Sequence, residues 1–329
     1  MMGEFDLITR FFKRPTPRAA LGIGDDCALL SPRPGMQLAI STDMLVEGRH
    51  FYPDVDPMLL GHKALAVNLS DLAACGATPL AFTLALSLPQ ADEAWLAPFS
   101  CGLLALADDH GCELIGGDTT QGPLNICITV FGEVPVVNGR STALLRSGAQ
   151  AGDDLYVSGT LGDAWLALQA RRGLLTLPAD LLALAQARLD RPTPRVALGT
   201  ALRSIATSAI DISDGLLGDL GHILKASGMG ATVHTTIAIE LIATKAMNTW
   251  AKALIDQKTA LQSVLAGGDD YELAFTAPPV LRAAVVAAAQ RATTPVTRIG
   301  HINAEAGLRL VNGEGQAVPN SYTSFDHFA

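Results

Sequence analysis

The stretch CELIGGDTT, residues 112–120, contains the pattern from which the fold class of this chain is predicted. An apolar, strand-like piece at 112–115 runs directly into Gly116, Gly117 and Asp118. In α/β proteins a ligand binds in the crevice outside the carboxyl ends of the strands, and glycine lets a phosphate approach the backbone closely. The stretch therefore predicts a buried strand that ends at a ligand.

The segments around this stretch alternate between strand-like and helix-like patterns. Asp56 is typical of a helix N-cap and Pro57 of the first helical position, so a helix is predicted to begin here. Gly76 is typical of the residue that follows the end of a helix. Asp92 caps a second helix, which Gly111 ends. The first half thus predicts strands at 37–42, 81–88, 112–115 and 125–134, and helices at about 56–75 and 92–111.

The second half of the chain repeats this mixture of elements. It predicts strands at 154–158, 208–212, 231–235 and 273–276, helices at 163–172, 178–189, 195–203 and 281–292 with another after Gly215, and strand-like pieces in 302–329. Between the halves, residues 137–152 are rich in Gly, Ser, Arg and Ala, which is typical of a domain junction. We therefore predict a two-domain chain of the α/β class with mixed α+β content, its domains at 1–139 and 140–329.

Acidic residues cluster directly after the predicted strands or within glycine turns. Carboxylates with neighbouring hydroxyls are hard oxygen donors, which suit Mg²⁺ rather than Zn²⁺. An acid beside a glycine is also ordinary turn chemistry, and the pattern alone does not bring the segments together. If they converge, cations must offset a repulsion of several kcal/mol per pair at about 4 Å. The segments are Gly24-Asp25-Asp26, Ser41-Thr42-Asp43, Ser70-Asp71, Gly117-Asp118, Asp211-Ile212-Ser213-Asp214-Gly215 and Gly268-Asp269-Asp270.

Composition and cysteine usage exclude several classes of protein. The 329 residues include 23 basic and 32 acidic ones, and the formal net charge of −9 disfavours a general nucleic-acid binder. The first twenty residues lack an apolar signal region, and no uninterrupted apolar span of about 20 residues occurs, so we expect neither a signal peptide nor a transmembrane helix. Five cysteines without a C-x-x-C pair predict buried free thiols in a reducing cytoplasm, not disulfides or a zinc site.

Standard nucleotide and calcium motifs are missing from the sequence. It contains no P-loop and no protein-kinase motifs, and Gly22-Ile23-Gly24 continues as Asp-Asp-Cys, unlike a Rossmann fingerprint. The segment 211–215 resembles a calcium loop only superficially, because Gly215 would be its fifth residue and His222 its twelfth.

Two basic residues are candidates for ligand binding. His50 follows the Ser-Thr-Asp segment closely enough to reach the same crevice, although a lone loop histidine is more often a surface residue. Arg146, at the predicted junction, is either a partner in a solvated or interdomain ion pair or a phosphate clamp. The pattern leaves both alternatives open.

Seven segments together resemble the thiamine-monophosphate kinases, a family of the superfamily that includes aminoimidazole ribonucleotide synthetase and selenophosphate synthetase. They cover nearly the whole chain in the family's order, and as a set they are highly specific. The segments are GIGDDCA (22–28), STDMLVEGRHF (41–51), KALAVNLSDLAA (63–74), IGGDTT (115–120), AIDISDGL (209–216), GGDDYEL (267–273) and the DHF end (326–328).

The resemblance implies an aminoimidazole ribonucleotide synthetase-like architecture, with an N-terminal domain that dimerises through its sheet and a C-terminal α/β domain that completes the ATP site. It implies a cytoplasmic homodimer that uses ATP and several Mg²⁺ ions to convert thiamine monophosphate to thiamine diphosphate, with no nucleic-acid or membrane partner. Catalysis would proceed through Mg²⁺ held by Asp43, Asp71 and Asp118, without a separate general base. The implied metal ligands are Asp26, Ser41, Thr42, Asp43, Asp71, Asp118, Asp211 and Asp214; the ATP contacts are Gly117, Asp118, Arg146 and Ser213; the substrate contacts are His50, Asp269 and Phe325.

Three departures from the family pattern and three rival functions accompany this assignment. Asp269 stands where relatives often carry Glu, Phe325 stands where Tyr is common, and 134–141 is longer than in close relatives. A selenophosphate synthetase would need a reactive cysteine in a glycine-rich N-terminal segment, which Cys27 matches weakly. A hydrogenase-maturation relative would need a C-terminal cysteine, whereas this chain ends His-Phe-Ala. A non-catalytic binder of Mg-ATP is the rival from a different class.

Overall fold

The computed structural model describes residues 3–243 and 255–325, so the DHF segment at 326–328 lies outside the described residues. The chain divides into two compact units. The first contains the described residues up to Thr142 except Ala73–Gly76, and the second contains Ala73–Gly76 and the described residues from Ala143 onward.

The first unit contains short helices at its start, two long helices and five strands. Its elements are α1 Glu4–Leu7, a π-helical turn Ile8–Phe12, β1 Met36–Val46, α2 Pro57–Ala74, β2 Thr78–Leu88, α3 Glu93–Asp109, β3 Glu113–Gln121, β4 Asn125–Val137 and β5 Arg140–Ser141. As predicted, the Asp92 side chain caps α3, accepting from the backbone N–H of Ala94 at 2.9 Å. The left-handed glycine Gly76 follows α2 at φ 66°, and Gly111 follows α3 at φ 56°.

The predicted strand ends were wrong in two places that matter for the site. β1 continues past Thr42 to Val46, and β3 continues past Ile115 to Gln121. The ladder provides the reason, because β3 stays paired with β2 up to the pair Leu88–Gln121. Continuous backbone pairing outweighs the local turn preference of glycine and aspartate. Ser41-Thr42-Asp43 and Gly116-Gly117-Asp118 therefore lie inside strands.

The sheet of the first unit has one covered face and one open face. Its strand order is β1-β4-β2-β3, with β5 beside β4 and only β2 and β3 parallel. Alternate residues of β4 are almost fully buried, as shown by Ile126 and Ile128 at 1% exposure. On the other face Leu38, Ile40 and Met44 of β1 are 39%, 60% and 52% exposed. We call this side of the sheet, which carries Leu38, Ile40 and Met44, the open face; it is apolar as well as exposed.

The second unit is built on a seven-stranded mixed sheet. Its strand order is β12-β11-β8-β10-β6-β9-β7, and only β8 and β11 pair in parallel. The elements are β6 Asp154–Ser158, α4 Asp163–Arg171, α5 Ala179–Asp190, α6 Val196–Ala201, β7 Ser208–Ile212, α7 Leu216–Ser227, β8 Gly230–His234, α8 Thr235–Ala238, α9 Gln257–Ala266, β9 Glu272–Ala277, α10 Arg282–Arg291, β10 Val296–Asn303, β11 Gly307–Val311 and β12 Ala317–Val318, with 3₁₀ turns at Ile239–Leu241 and Pro279–Leu281. Together with the first unit this gives the mixed α+β fold that the sequence predicts.

A buried ion network lies at the start of β9. Glu272 is 0% exposed and accepts hydrogen bonds from Arg188, Arg195 and the Ser158 hydroxyl. The Arg195 pair is bidentate, with Nε–Oε2 at 2.6 Å and Nη2–Oε1 at 2.5 Å. The side chains of Arg188 and Arg195 are only 18% and 15% exposed, so solvent screens this network weakly.

A second carboxylate with two arginines lies closer to solvent. Asp154 accepts hydrogen bonds from Arg282 and Arg298, whose side chains are each 52% exposed. The hydrogen bond from Arg282 is the main cause that lowers the pKa of Asp154, and burial opposes it. Like Glu272, the buried Asp154 carboxylate pairs with two arginines, but the arginines of Asp154 are much more exposed.

The five cysteines are free thiols, but only one of them is buried as predicted, and Cys75 and Cys127 are half-buried. Cys27 and Cys101 are exposed, whereas Cys112 is buried. Burial raises the pKa of the Cys112 thiol to about 12. Among the described residues no helix combines the length and the apolar character that a membrane crossing requires.

Candidate active site

A first group of predicted site residues lies where β1 meets α2, on the covered face of the sheet. The Ser41 hydroxyl donates a short hydrogen bond to the Asp71 carboxylate. The backbone N–H of Asp43 donates to Asn68 Oδ1 at 3.1 Å, and Asn68 Nδ2 donates to the Ala64 carbonyl at 3.0 Å. Asn68 is 1% exposed, so its amide is fixed by both bonds. Asn68 is not among the predicted site residues, although it stands three residues before Asp71 and therefore on a nearby position of the same helix.

Thr42 is separated from its two neighbours by the pleat of β1. Its hydroxyl shares a hydrogen bond of 2.8 Å with the hydroxyl of Thr129 in the adjacent strand. Successive side chains of a strand point to opposite faces, so Thr42 belongs to the open face while Ser41 and Asp43 belong to the covered face. The three consecutive residues therefore do not present their side chains to one point.

A second group lines a cavity of about 770 Å³ at the β3 edge of the same unit. Asp26, Gly117 and Asp118 border this cavity together with Asp25 and Lys13. The cavity thus brings three predicted site residues together. It also adds a lysine that no sequence motif indicated.

Gly117 allows the backbone to line this cavity without a side chain. Its φ is 149°, and a Cβ added here would lie 1.9 Å from the Leu84 carbonyl oxygen. No other residue fits at this position without moving a strand. The sequence predicts that a ligand phosphate comes close to the backbone of this glycine. In the structure, the group that lies close to Gly117 is the backbone of the neighbouring strand β2.

The two groups stand at opposite edges of the sheet. Asp43 pairs with Ile128 of β4, Ile128 pairs with Leu84 of β2, and Leu84 pairs with Gly117 of β3. This row of four residues connects one edge strand to the other. Asp118, one residue beyond Gly117, pairs with Ala85 and so belongs to the opposite face from Asp43.

His50 lies in the tight turn that follows β1. The turn is closed by hydrogen bonds from the Arg49 and His50 N–H groups to the Val46 carbonyl. The Val46 N–H in turn donates to His50 Nδ1 at 2.9 Å. Because Nδ1 accepts a hydrogen bond, any bond that the neutral ring donates must come from Nε2.

In the second unit, three loops that carry predicted site residues are joined by their backbones. The Asp269 N–H donates to the Ser213 carbonyl at 2.8 Å, and the Phe325 N–H donates to the Asp214 carbonyl at 3.1 Å. Asp211 lies at the end of the adjacent strand β7 and is 6% exposed. The predicted site residues Ser213, Asp214, Asp269 and Phe325 therefore form one group with Asp211, whereas Arg146 of the same unit lies in a different segment.

The loop that carries Asp269 has an unusual backbone. Asp269 and Tyr271 have φ angles of 67° and 52°. The Tyr271 hydroxyl donates to Asp269 Oδ1 at 3.1 Å, and the Tyr271 N–H donates to the Ile212 carbonyl at 2.8 Å. Left-handed angles at a residue other than glycine persist only where the surroundings hold them, and they concentrate at functional sites.

Two buried carboxylates, Asp219 and Asp270, adjoin this group. Burial raises the pKa of Asp219 to about 7, the nearby Asp214 carboxylate adds to the increase, and backbone N–H groups oppose it. Burial also raises the pKa of Asp270, although Arg188 and the Gly162 N–H act in the opposite direction. Asp219 is not among the predicted site residues. Its position in the first turn of the helix after a glycine loop is the signal that could have revealed it.

Arg146 lies in an exposed segment beside β7. The preceding residue, Leu145, accepts a hydrogen bond from the Ala209 N–H, and the Arg146 carbonyl accepts one from the Ser227 hydroxyl. The backbone at Arg146 is therefore fixed while its side chain is exposed.

Within 3–243 and 255–325, no three His, Cys, Asp or Glu side chains are grouped so that they could share a metal ion. The carboxylates occur instead singly or in pairs beside hydroxyls, as Asp71 does with Ser41. Mg²⁺ in phosphoryl-transfer sites is typically held by one or two carboxylates together with substrate phosphates and water. The donor set therefore fits magnesium bound together with a phosphate ligand, and it does not fit an all-protein metal cage.

The chain matches two families of domains over most of its length. Residues 24–134 match the AIR synthase related protein, N-terminal domain, and residues 150–312 match the AIR synthase related protein, C-terminal domain. Thiamine-monophosphate kinase of Salmonella typhimurium is 49% identical over 333 residues, which cover 99% of this chain and 98% of that protein.

Solved structures of the same kind of enzyme share the fold. The crystal structure of thiamine-monophosphate kinase from Stenotrophomonas maltophilia has a TM-score of 0.80 at 46% identity, covering 92% of this chain and 93% of the other. The structure described as AaThiL complexed with AMPPCP and TMP has a TM-score of 0.74 at 26% identity, covering 99% and 97%.

Proposed function

This chain belongs to the thiamine-monophosphate kinase family, and on that premise we propose that it transfers the γ-phosphoryl group of ATP to thiamine monophosphate, giving thiamine diphosphate and ADP. The observation that carries this function is the 49% identity to a thiamine-monophosphate kinase over 99% of the chain. A related structure holds AMPPCP and TMP together, which accords with ATP and thiamine monophosphate as the two substrates.

The proposed reaction includes Mg²⁺, which would be held by carboxylates and hydroxyls of both units. In the first unit these are Asp43 and Asp71 with Ser41, and separately Asp26 and Asp118; in the second unit they are Asp211 and Asp214. Bound Mg²⁺ would supply charge neutralisation between two polyanionic substrates. Support comes from the hard oxygen chemistry of these residues and from their occurrence beside hydroxyls.

The proposed mechanism needs no general base. The acceptor is a phosphate monoester whose second pKa is about 6, so it is already mostly dianionic at neutral pH. The residues must therefore align the acceptor oxygen with the γ-phosphorus and exclude water, and they need not deprotonate the acceptor as an alcohol kinase does. We therefore propose that the γ-phosphoryl group passes directly and in line from ATP to the phosphate of thiamine monophosphate, without a phosphoenzyme.

Ligand contacts are proposed for residues of both units. Gly117, Asp118 and Ser213 would contact ATP, and the exposed guanidinium of Arg146 would bind phosphate. His50, Asp269 and Phe325 would contact thiamine monophosphate. Phe325 is 46% exposed, so its ring can stack on a heteroaromatic substrate. The hydrogen bonds from Asp269 to Ser213 and from Phe325 to Asp214 support a common location for the residues of the second unit.

We also propose a cytoplasmic homodimer that forms through the open face. Support comes from Leu38, Ile40 and Met44, whose exposure on one sheet face is typical of an interaction surface. Free thiols and the use of ATP accord with a reducing cytoplasm.

Phosphorus NMR of the protein with Mg-ATP and thiamine monophosphate tests the function. We expect thiamine diphosphate and ADP. ADP without thiamine diphosphate would instead indicate a different enzyme of the superfamily, and no turnover would indicate a binder. An acid quench with γ-³²P-labelled ATP should leave the protein unlabelled, and a covalent label would contradict direct transfer.

Asp43→Asn tests the proposed metal ligand. The substitution keeps the shape of the side chain and its backbone bond to Asn68, but it removes the charge. We expect turnover to fall by about 100-fold or more, with an unchanged melting temperature. Asp180→Asn is the matched control, because Asp180 is an exposed aspartate in the first turn of α5. Near-wild-type turnover of Asp43→Asn would show that Asp43 is not a principal ligand.

A further inference from the structure

Asp219 makes an unusual set of contacts with the loop that precedes its own helix. The single oxygen Oδ2 accepts hydrogen bonds from the backbone N–H groups of Ser213, Asp214 and Gly215, each at 3.1 Å. Asp219 is 4% exposed, so water does not compete for these donors. No sequence motif assigns a role to this residue.

Three successive N–H groups that converge on one point form an anion-binding concavity. In many phosphate sites such a concavity receives a ligand oxygen, but here it is filled by a carboxylate of the chain itself. These N–H groups are therefore not available to ATP. The loop can still offer a ligand its side chains, the Ser213 hydroxyl and the Asp214 carboxylate.

The same loop is bonded to two further segments through its carbonyl groups. The Ser213 carbonyl accepts from the Asp269 N–H at 2.8 Å, and the Asp214 carbonyl accepts from the Phe325 N–H at 3.1 Å. The N–H groups of the loop thus face Asp219, and its carbonyls face the segments proposed to contact thiamine monophosphate. A shift of the loop would move residues proposed for both substrates.

We propose that Asp219 is a positioning residue that fixes the 213–215 loop and thereby aligns the ATP contacts with the contacts to thiamine monophosphate. This inference rests on the proposed function for the roles of Ser213, Asp214, Asp269 and Phe325. Asp219 would act through the loop that it holds, so its loss should weaken the binding of both substrates at once. A displacement of about 1 Å at such a site is enough to change rates by up to about 100-fold.

The test compares Asp219→Ala and Asp219→Asn with the wild-type protein and with Asp180→Asn. Asp180 is the matched control because it is an exposed aspartate in the first turn of α5. We expect Asp219→Ala to raise the KM values for ATP and for thiamine monophosphate together, each by about tenfold or more. Asn keeps an oxygen that can accept the same bonds without the charge, so Asp219→Asn should recover part of the loss.

Hydrogen exchange separates positioning from general stability. We expect the peptide that contains 213–215 to exchange faster in both Asp219 variants, while peptides from β6 and β9 exchange as in the wild-type protein. A folded Asp219→Ala with both KM values within twofold of wild type would overturn the proposal, as would a lower melting temperature with unchanged KM values.

The remaining outcomes are also decisive. If Asp219→Ala does not fold, Asp219→Asn decides, and unchanged exchange at 213–215 in that variant overturns the proposal. If the wild-type protein and Asp180→Asn make no thiamine diphosphate, the proposed function fails, and the exchange of 213–215 still tests the anchoring of the loop.

Discussion

Replacing Arg195 by methionine tests the energetic importance of the buried network at β9. The change keeps an apolar stem of similar length and removes both hydrogen bonds to Glu272, at 2.6 and 2.5 Å. Glu272 stays buried at 0% exposure with one cation, Arg188, and the Ser158 hydroxyl. Breaking a buried pair costs about 3–5 kcal/mol, and the remaining cation places this case near the lower limit, at about 3 kcal/mol.

Differential scanning calorimetry measures this loss. A destabilisation of about 3 kcal/mol corresponds to a shift of roughly 6–12 °C, since about 1 kcal/mol moves the melting temperature of a 150–250-residue unit by 2–4 °C. Arg298→Met is the matched control, because Arg298 also shares its carboxylate with a second arginine but is 52% exposed. We expect the control to cost about 1 kcal/mol or less.

Equal shifts for Arg195→Met and Arg298→Met would refute the reasoning. Such a result would mean that burial of the arginine does not determine the strength of these pairs. A smaller shift for Arg195→Met than for the control would show that Glu272 finds another partner after the substitution.

Gly117→Ala should prevent activity and lower the melting temperature, because its Cβ would lie 1.9 Å from a carbonyl oxygen of the neighbouring strand; a soluble, fully active variant would contradict this. Asp154→Asn should destabilise the protein at neutral pH, and its difference from wild type should shrink as urea midpoints are measured from about pH 7 down to about pH 3. The reason is that the Arg282 hydrogen bond lowers the folded-state pKa of Asp154 below 3.8. The stability that the ionised Asp154 contributes is therefore complete above that pH and is lost as pH falls through the folded-state pKa. A difference between Asp154→Asn and wild type that stays constant with pH would argue against this. Thiol titration at about pH 8 should modify Cys101 in the folded protein but Cys112 only after denaturation, since burial raises the pKa of Cys112 to about 12; rapid modification of Cys112 would be the contrary result.

Local signals in the sequence predicted most elements of the fold. The cap at Asp92 and the stop at Gly76 act within a few residues, so a single sequence reveals them. The lengths of β1 and β3 depend on partners far away in the chain. The residues Gly116, Gly117 and Asp118 therefore predicted a turn, whereas pairing with β2 keeps them in a continuous strand.

The candidate site could be predicted as a set of residue types but not as an arrangement. Ser41, Thr42 and Asp43 are adjacent in sequence, and only their position inside a strand shows that Thr42 belongs to the other face. Asp219 and Glu272 are ordinary acidic residues in the sequence. Both become important because they are buried with several donors: backbone N–H groups of the preceding loop for Asp219, and arginine side chains distant in the chain for Glu272.

The row Asp43–Ile128–Leu84–Gly117 has a consequence for metal stoichiometry. Three strand spacings of about 4.8 Å place the two edge strands about 14 Å apart along the sheet. A Mg²⁺ ion lies about 2.1 Å from its ligand oxygens, so it cannot bind the side chains of Asp43 and Asp118 of the same chain together. If both residues are ligands, the first unit of each chain contributes to at least two separate ions, and titrations of Asp43→Asn and Asp118→Asn should each lose a different one.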